Sequence, residues 1–522
     1  MSDQTPSRDR VGRTRFNIVK NVTSNWAALF TNIAVSFFLA PFIVQSLGNV
    51  FYGVWTLVMQ FTGYMWLFDL GVRESVIKYV AQYEAAKKQE EVGVTVNAAL
   101  FLYTFIAALT MAVVAGLAYA MPYFFNIPPN SVGTARIALL LTGASIAQGF
   151  VANVFVGVLM GLQRFYLVSR LGIVFSLIRA LLTVIALSAG HGIVALGVIH
   201  LTMNTLVSLI VFRYARIHLP YYSPRLVVPG REEFGRIAGY AKYVVANNIG
   251  EKLVFSTDAL VVGIFLPISS LTYYAIGGSP VGYLRSMVLM MVSVMNPVSS
   301  ALEARQDTQR LGTLFLGASK AAMLIGLPVC IGLIVLGGRF IGLWMGPQYS
   351  EVSGQILAIL GASSLVGLPH FTIGSVLYGL GRHRIIALCR AAEAAVNLTL
   401  SILLVQRLGL VGVALGTLIP HVLVAGIVLP YLMARVLPIK LRDYYISAYL
   451  RPLLASGLFV LACLAIERFA APQSLPAFGA LVATALVVYV VPCWMIALTG
   501  AERGAILARA RAQLENRRAR SM

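Results

Sequence analysis

Six polar residues crowd one stretch of otherwise apolar sequence. Between Phe234 and Leu266 stand Lys242, Asn247, Asn248, Glu251, Lys252 and Asp258. At 100° per residue, Asn247, Glu251 and Asp258 fall within about 40° of one another on a helix, and Asn248 and Lys252 flank them. A charge at the bilayer centre costs about 2.5–3.5 kcal/mol on insertion scales, so this stripe needs a partner or a wet cavity. Two chemistries fit it. Glu251 and Asp258 would take up a cation or hold one in an ion pair between helices, and Lys252 would meet an anion. Arg285, near the middle of the next apolar run, also suits an anionic substrate, because a guanidinium keeps its proton and forks onto phosphate oxygens. A salt bridge from Arg285 to Asp258 or Glu251 reads the same residues equally well.

Other polar groups are more scattered. Asn21, Asn25 and Asn32 share a face at i, i+4 and i+11, where amides bind sugar hydroxyls or glue helices together. Asp69, Arg73 and Glu74 close the second span and form a gate or a surface cluster. Arg179 sits mid-way along its span. Lys320 and Glu393 stand about two turns from a helix end, close enough to snorkel. His200, His370 and His421 lie in apolar runs, open to a core role or a proton relay. No Walker A pattern, Ser-His-Asp context or metal-ligand cluster occurs, which argues against an ATP-driven pump on this chain.

The elements that must carry these groups are membrane helices. The 522 residues are 59% hydrophobic and 11% charged, with mean hydropathy +0.82. A soluble chain carries about 25% charged residues. Apolar runs of about 20 residues recur from end to end, and the spacing predicts an all-α polytopic protein of about fourteen transmembrane helices. The net charge of +21 sits in short loops and at both ends. With both termini in the cytoplasm, only Arg136, Arg339, Arg407 and Arg468 fall outside, as the positive-inside rule requires. That pattern speaks for a lipid bilayer as partner and against nucleic acid. The four cysteines, all in apolar runs without a CxxC, read as small core residues.

The chain repeats itself. Lys20 to Val54 matches Lys242 to Ile276 at a constant offset, with Asn25 on Asn247 and Phe51-Tyr52-Gly53-Val54 on Tyr273-Tyr274-Ala275-Ile276. Val158 to Arg164 matches Val376 to Arg382 at nearly the same offset. Two six-helix lobes in parallel repeat follow, with function at their centre. The predicted organisation is a disordered cytoplasmic segment at 1–15, an N-lobe at 16–214, a cytoplasmic linker at 215–233, a C-lobe at 234–436, two further helices at 437–500 and a basic tail at 501–522.

Several stretches resemble a known family. Pro41 to Gly48, Phe51 to Trp55 and Phe68-Asp69-Leu70-Gly71-Val72 look like the opening of polysaccharide-exporting, Wzx-like flippases. These are related to the MATE drug exporters and the lipid II flippase. Gly161-Leu162-Gln163-Arg164, Val396-Asn397-Leu398 and Leu408 to Thr417 fit the same pattern, and together the likeness covers Arg13 to about Leu432. The resemblance implies two lobes that rock about a central cavity in a bacterial inner membrane. The cargo it implies is a polyprenyl-diphosphate-linked oligosaccharide, moved from the inner to the outer leaflet, with a polysaccharide polymerase and glycosyltransferases as neighbours and no cofactor beyond H+ or Na+ coupling. On this reading Arg285, Lys252, Asn25, Asn247 and Asn248 bind substrate, Glu251 and Asp258 couple a cation or form ion pairs, and Asp69 and Arg73 gate. The alternative is a cation-coupled, MATE-like small-molecule exporter. A membrane glycosyltransferase or polymerase would need a sizeable outer loop, and the outer loops are short.

Overall fold

A computed structural model of the chain describes residues 8–228, 230–231, 234–235 and 257–521. Helix accounts for 88% of it, and no strand occurs among the described residues. This follows from the solvent: in hydrocarbon a backbone must satisfy its own N–H and C=O groups, and an unbroken apolar run does so as a helix. Ten helices among the described residues are long and apolar enough to cross a membrane, or eleven when one bent pair is taken as a span. The fourteen expected are not recovered one for one. Two of the long helices contain a break, at Gly48 (φ 72°) and Gly409 (φ 58°), and most of the span expected at 234–266 lies outside the described residues.

Contacts divide the chain into two compact units, Met1–Thr272 and Tyr273–Met522. The first contains α1 (Arg8–Met65), α2 (Val72–Ala85), α3 (Gln89–Phe124), α4 (Pro129–Gly161), α5 (Phe165–Ser188) and α6 (Ile193–His218). α1 begins at Arg8, within the segment that the sequence analysis leaves disordered. α4 packs on α3 and α6, while α5 lies along α1. Val76, Val96, Tyr103, Phe150 and Val158 form the core where α2, α3 and α4 meet. The chain after α6 is fastened down: the Tyr222 hydroxyl and the Arg225 N–H both donate to Asn97 Oδ1, at 2.8 and 2.9 Å, and the Tyr221 hydroxyl donates to Glu84.

The second unit holds most of α7 (Ile268–Val292), then α8 (Met295–Ala304), α9 (Thr308–Val335), α10 (Gly337–Met345), α11 (Val352–Gly367), α12 (His370–Gly379), α13 (His383–Leu423) and α14 (Leu429–Val436). α11 and α12 form one span bent by 44°. Three short helices, α15 (Leu441–Tyr445), α16 (Arg451–Ala455) and α17 (Gly457–Ala465), joined by a π-turn (Ile446–Leu450) and by Ser456, form with a closing π-turn (Ile466–Ala470) a span that α18 (Leu475–Pro492) accompanies. Phe459, Cys463 and Tyr489 from these last spans pack on Leu284, Met323 and Leu368.

The duplicated motif builds the same corner in each unit. Gly161 ends α4 where a Cβ would come 3.0 Å from the Ile77 carbonyl oxygen of α2. Gly379 ends α12 where a Cβ would come 2.5 Å from the Asn296 carbonyl oxygen of α8. Each chain then turns through a positive-φ residue, Gln163 or Gly381, and closes with Arg164 N–H on Leu159 O (2.8 Å) or Arg382 N–H on Leu377 O (2.9 Å). Gly379→Ala should therefore lower stability by about 1–3 kcal/mol through overpacking. Gly374→Ala, with nothing within 4 Å of the added atom, should be nearly neutral; thermal unfolding in detergent distinguishes them.

The basic tail forms α19 (Gly500–Ser521). It is pinned at its start. Lys320 of α9, 3% exposed, meets Glu502 at 2.7 Å, and Glu502 also accepts from the Thr499 N–H and hydroxyl. Lys320 thus does not snorkel. Partial burial pushes the Glu502 carboxyl up, but the Lys320 ammonium and the two Thr499 donors outweigh it and hold the carboxyl below its ordinary value. The sign follows: this contribution to docking is full at neutral pH, above the free value of about 4.3, and is lost as pH falls through the depressed value. Glu502→Gln should free the tail at neutral pH, seen as faster tryptic cleavage within α19 and a more mobile spin label at Ala508. Acidification should mobilise the same label in the wild type.

Candidate functional site

The predicted site residues fall in three groups. Lys252, Glu251, Asn247 and Asn248, with Lys242, lie outside the described residues. Asp258 lies inside them, in the helical residues 257–265 of the first unit, and is 8% exposed. That helix is held by Asn126, whose backbone N–H donates to Gly263 O and whose side-chain amide donates to Ile264 O at 3.0 Å. Tyr64 of α1 is within electrostatic reach of Asp258.

Arg285 belongs to the second unit. Leu284, Val288 and Val292 are the face of α7 turned to the core. Arg285 stands one residue on from Leu284, about 100° round the helix from that face, and is half-buried.

Asn25 and Asn32 are exposed, and Asn25 Oδ1 accepts from Ser169 Oγ of α5 at 2.7 Å. That bond ties α1 to α5, the gluing role open to these amides. Asp69 and Arg73 lie within electrostatic reach of each other but form no side-chain ion pair among the described residues. Asp69, 7% exposed, accepts from the Tyr103 hydroxyl, and that hydroxyl accepts from the Arg73 backbone N–H at 2.9 Å. Tyr103 thus satisfies an orphan donor at the start of α2 and fixes the corner after Leu70 and Gly71, both left-handed. The Arg73 guanidinium turns to Glu74, 2.8 Å away.

Two polar clusters, one part-buried and one buried, are not legible in the sequence. In the first unit Arg179 donates to Asn204 Oδ1 at 3.0 Å, and Asn204 donates to Ser145 Oγ at 2.5 Å. In the second, Glu393 is 1% exposed and so does not snorkel. Its Oε1 lies 2.5 Å from His421 Nδ1, and its Oε2 lies 3.4 Å from Arg390 Nη1. Arg390, grouped by the charge tally with cytoplasmic residues, also donates through Nη2 to His370 Nε2 at 2.8 Å. The signal available in sequence was a charge or an imidazole inside an apolar run. The pairings that join different helices or helix segments, 20 to 59 residues apart, were not.

Long apolar helices, some bent or broken and carrying buried charges, define a multi-pass membrane protein. Residues 47–354, more than half of the chain, match the family described as "Polysaccharide biosynthesis protein", and the chain belongs to that family. A Bacillus subtilis (strain 168) membrane protein, EpsK, is 23% identical over 498 residues, 94% of this chain and 97% of its own length. A Shigella flexneri protein named as an O-antigen transporter is 21% identical over 428 residues, 80% of this chain and 98% of its own. Among solved structures, the lipid II flippase MurJ in an inward closed conformation shares the fold, with TM-score 0.65 at 15% identity, covering 92% of this chain and 98% of that one.

Proposed function

We propose that this protein flips a lipid-linked glycan, a polyprenyl-diphosphate-linked oligosaccharide, from the inner to the outer leaflet of a bacterial plasma membrane by alternating access. Membership of the polysaccharide biosynthesis family carries the reading, and the fold shared with a lipid II flippase supports it. The name of the Shigella relative points the same way.

The physics suits that cargo. A diphosphate cannot cross bare hydrocarbon, so the protein must supply cations at depth. Arg285, off the packed face of α7, is such a cation, and its forked donors match phosphate oxygens. The prenyl tail needs no protein path, because lipid is its solvent already. Both termini face the cytoplasm, and the enzymes that build and polymerise the glycan act before and after the flip. The buried carboxylate Asp258 favours, as a second reading, a cation-coupled exporter of small molecules.

Deletion of the gene separates the two. A flippase mutant accumulates lipid-linked glycan that a membrane-impermeant lectin or periodate cannot reach from outside, and complementation restores access. Normal surface glycan in the mutant, with raised sensitivity to small cations, would support the exporter.

A further inference from the structure

A cavity of about 430 Å³ lies in the second unit, at the end away from the basic tail. Two helices fix its position. α9 meets the tail at Lys320 and ends at Val335, just before the cavity residues Gly338 and Arg339. α18 starts just after Gln473 of the cavity wall and runs 18 residues, about 27 Å at 1.5 Å each, back toward the tail at Gly500. A basic tail marks the cytoplasmic side, so the cavity stands on the outer side.

Its charges are matched. Arg339 Nε donates to Glu467 Oε2 at 3.1 Å, and Nη2 donates to the Glu467 backbone carbonyl at 3.3 Å. Both residues line the cavity. The fork that suits a phosphate is therefore already on a carboxylate, and the lining carries no net charge. Ser350 Oγ donates to Gly338 O at 2.8 Å and keeps its lone pairs, while the Gln473 amide adds donors and an acceptor on an exposed loop. Gly338 and Gly342, one turn apart on α10, let that helix come against Ser350; a Cβ at either would stand 3.3 Å from it. Leu343 and Pro472 supply apolar wall. Beside Pro472, Ala471 holds a left-handed φ of 36°, a conformation unfavourable for a residue with a side chain and concentrated at ligand sites.

We propose that this cavity binds a neutral sugar unit on the outer side of the membrane. A sugar ring carries hydroxyls that both donate and accept, arranged around an apolar C–H face. The matched ion pair, Ser350 and Gln473 meet the hydroxyls, and Leu343 and Pro472 meet the face. The volume is that of a small-molecule site, about 300–1,000 Å³. An anion would have to displace Glu467 from Arg339, and a cation would have to displace Arg339 from Glu467. That the sugar belongs to the exported glycan, held as it emerges, rests on the proposed function; that the cavity binds sugar does not.

The test is cysteine protection in the full-length protein, in right-side-out membrane vesicles. Pro347 lines the cavity and is exposed, so Pro347→Cys should react with a membrane-impermeant maleimide added from outside. The wild type, whose four cysteines lie within spans, is the blank. The probe is the oligosaccharide freed from its polyprenyl diphosphate by mild acid. At twice its Kd it should slow the reaction by about threefold, the factor 1 + [L]/Kd. Arg407→Cys, exposed and away from the cavity, should be labelled at one rate with and without sugar. Adding Leu343→Trp, which fills the cavity, should abolish the protection. Sugar that leaves Pro347→Cys unprotected, or that protects it equally with Leu343→Trp present, overturns the site. Protection by inorganic phosphate or phosphoethanolamine in place of sugar overturns it too, and makes the cavity a headgroup site. Labelling from the cytoplasmic side alone overturns its placement. If Pro347→Cys fails to fold, Gln473→Cys on the exposed loop takes its place as reporter. In proteoliposomes Leu343→Trp should lose part of the wild-type rate of lipid-linked glycan flipping. An unchanged rate overturns the link to export and leaves the sugar site standing. A wild type that flips no glycan overturns the proposed function, and the protection assay still decides the site.

Discussion

Arg285→Ala should lower the initial rate of lipid-linked glycan flipping by about 10–100-fold. A charge-assisted hydrogen bond contributes about 1.5–3 kcal/mol, which converts to that range. Leu284, Val288 and Val292 carry the packing of α7, and an unchanged thermal unfolding midpoint for the variant separates a transport loss from a folding defect. Arg285→Lys should fall between wild type and alanine, since lysine keeps the charge and loses the fork. The measurement is the rate at which a fluorescent lipid-linked glycan becomes accessible to a membrane-impermeant quencher in proteoliposomes. An alanine variant as fast as wild type removes Arg285 from the substrate path.

The second large effect is on stability. Glu393→Ala should destabilise the protein by about 3–5 kcal/mol, because removing one partner of a buried pair leaves the others uncompensated. Arg390, with a side chain 12% exposed, would lose the carboxylate that lies 3.4 Å from its Nη1. Arg390→Met in the same chain should recover part of the loss, because it removes the stranded charge. Thermal unfolding in a single detergent reads both. A double variant no more stable than Glu393→Ala would mean that the loss is a cavity and not a charge.

These two residues show how far the sequence reaches. Hydropathy marks the membrane helices, because the bilayer imposes its thickness on each run. The duplicated Gly161 and Gly379 motifs marked real corners, because a close approach of backbones tolerates no side chain there. The Asp69 corner was flagged as a polar cluster, but its organiser, Tyr103, is 34 residues away and looks like any aromatic in an apolar run. Lys320 reads from sequence as a cation two turns from a helix end that snorkels, whereas its partner lies 182 residues on. Glu393, His370 and His421 were each noticed singly. Their pairing depends on where α13 folds back at Gly409 and where α11–α12 bends, and neither angle is written in composition or periodicity. The stripe from Asn247 to Lys252 lies outside the described residues.

The most direct test of the central claim is purified wild-type protein in vesicles loaded with polyprenyl-diphosphate oligosaccharide, assayed for transbilayer movement against protein-free vesicles. A clear acceleration, absent for a prenyl phosphate that bears no sugar, is the predicted result. Movement no faster than in empty vesicles, with small organic cations transported by the same preparation, would contradict it.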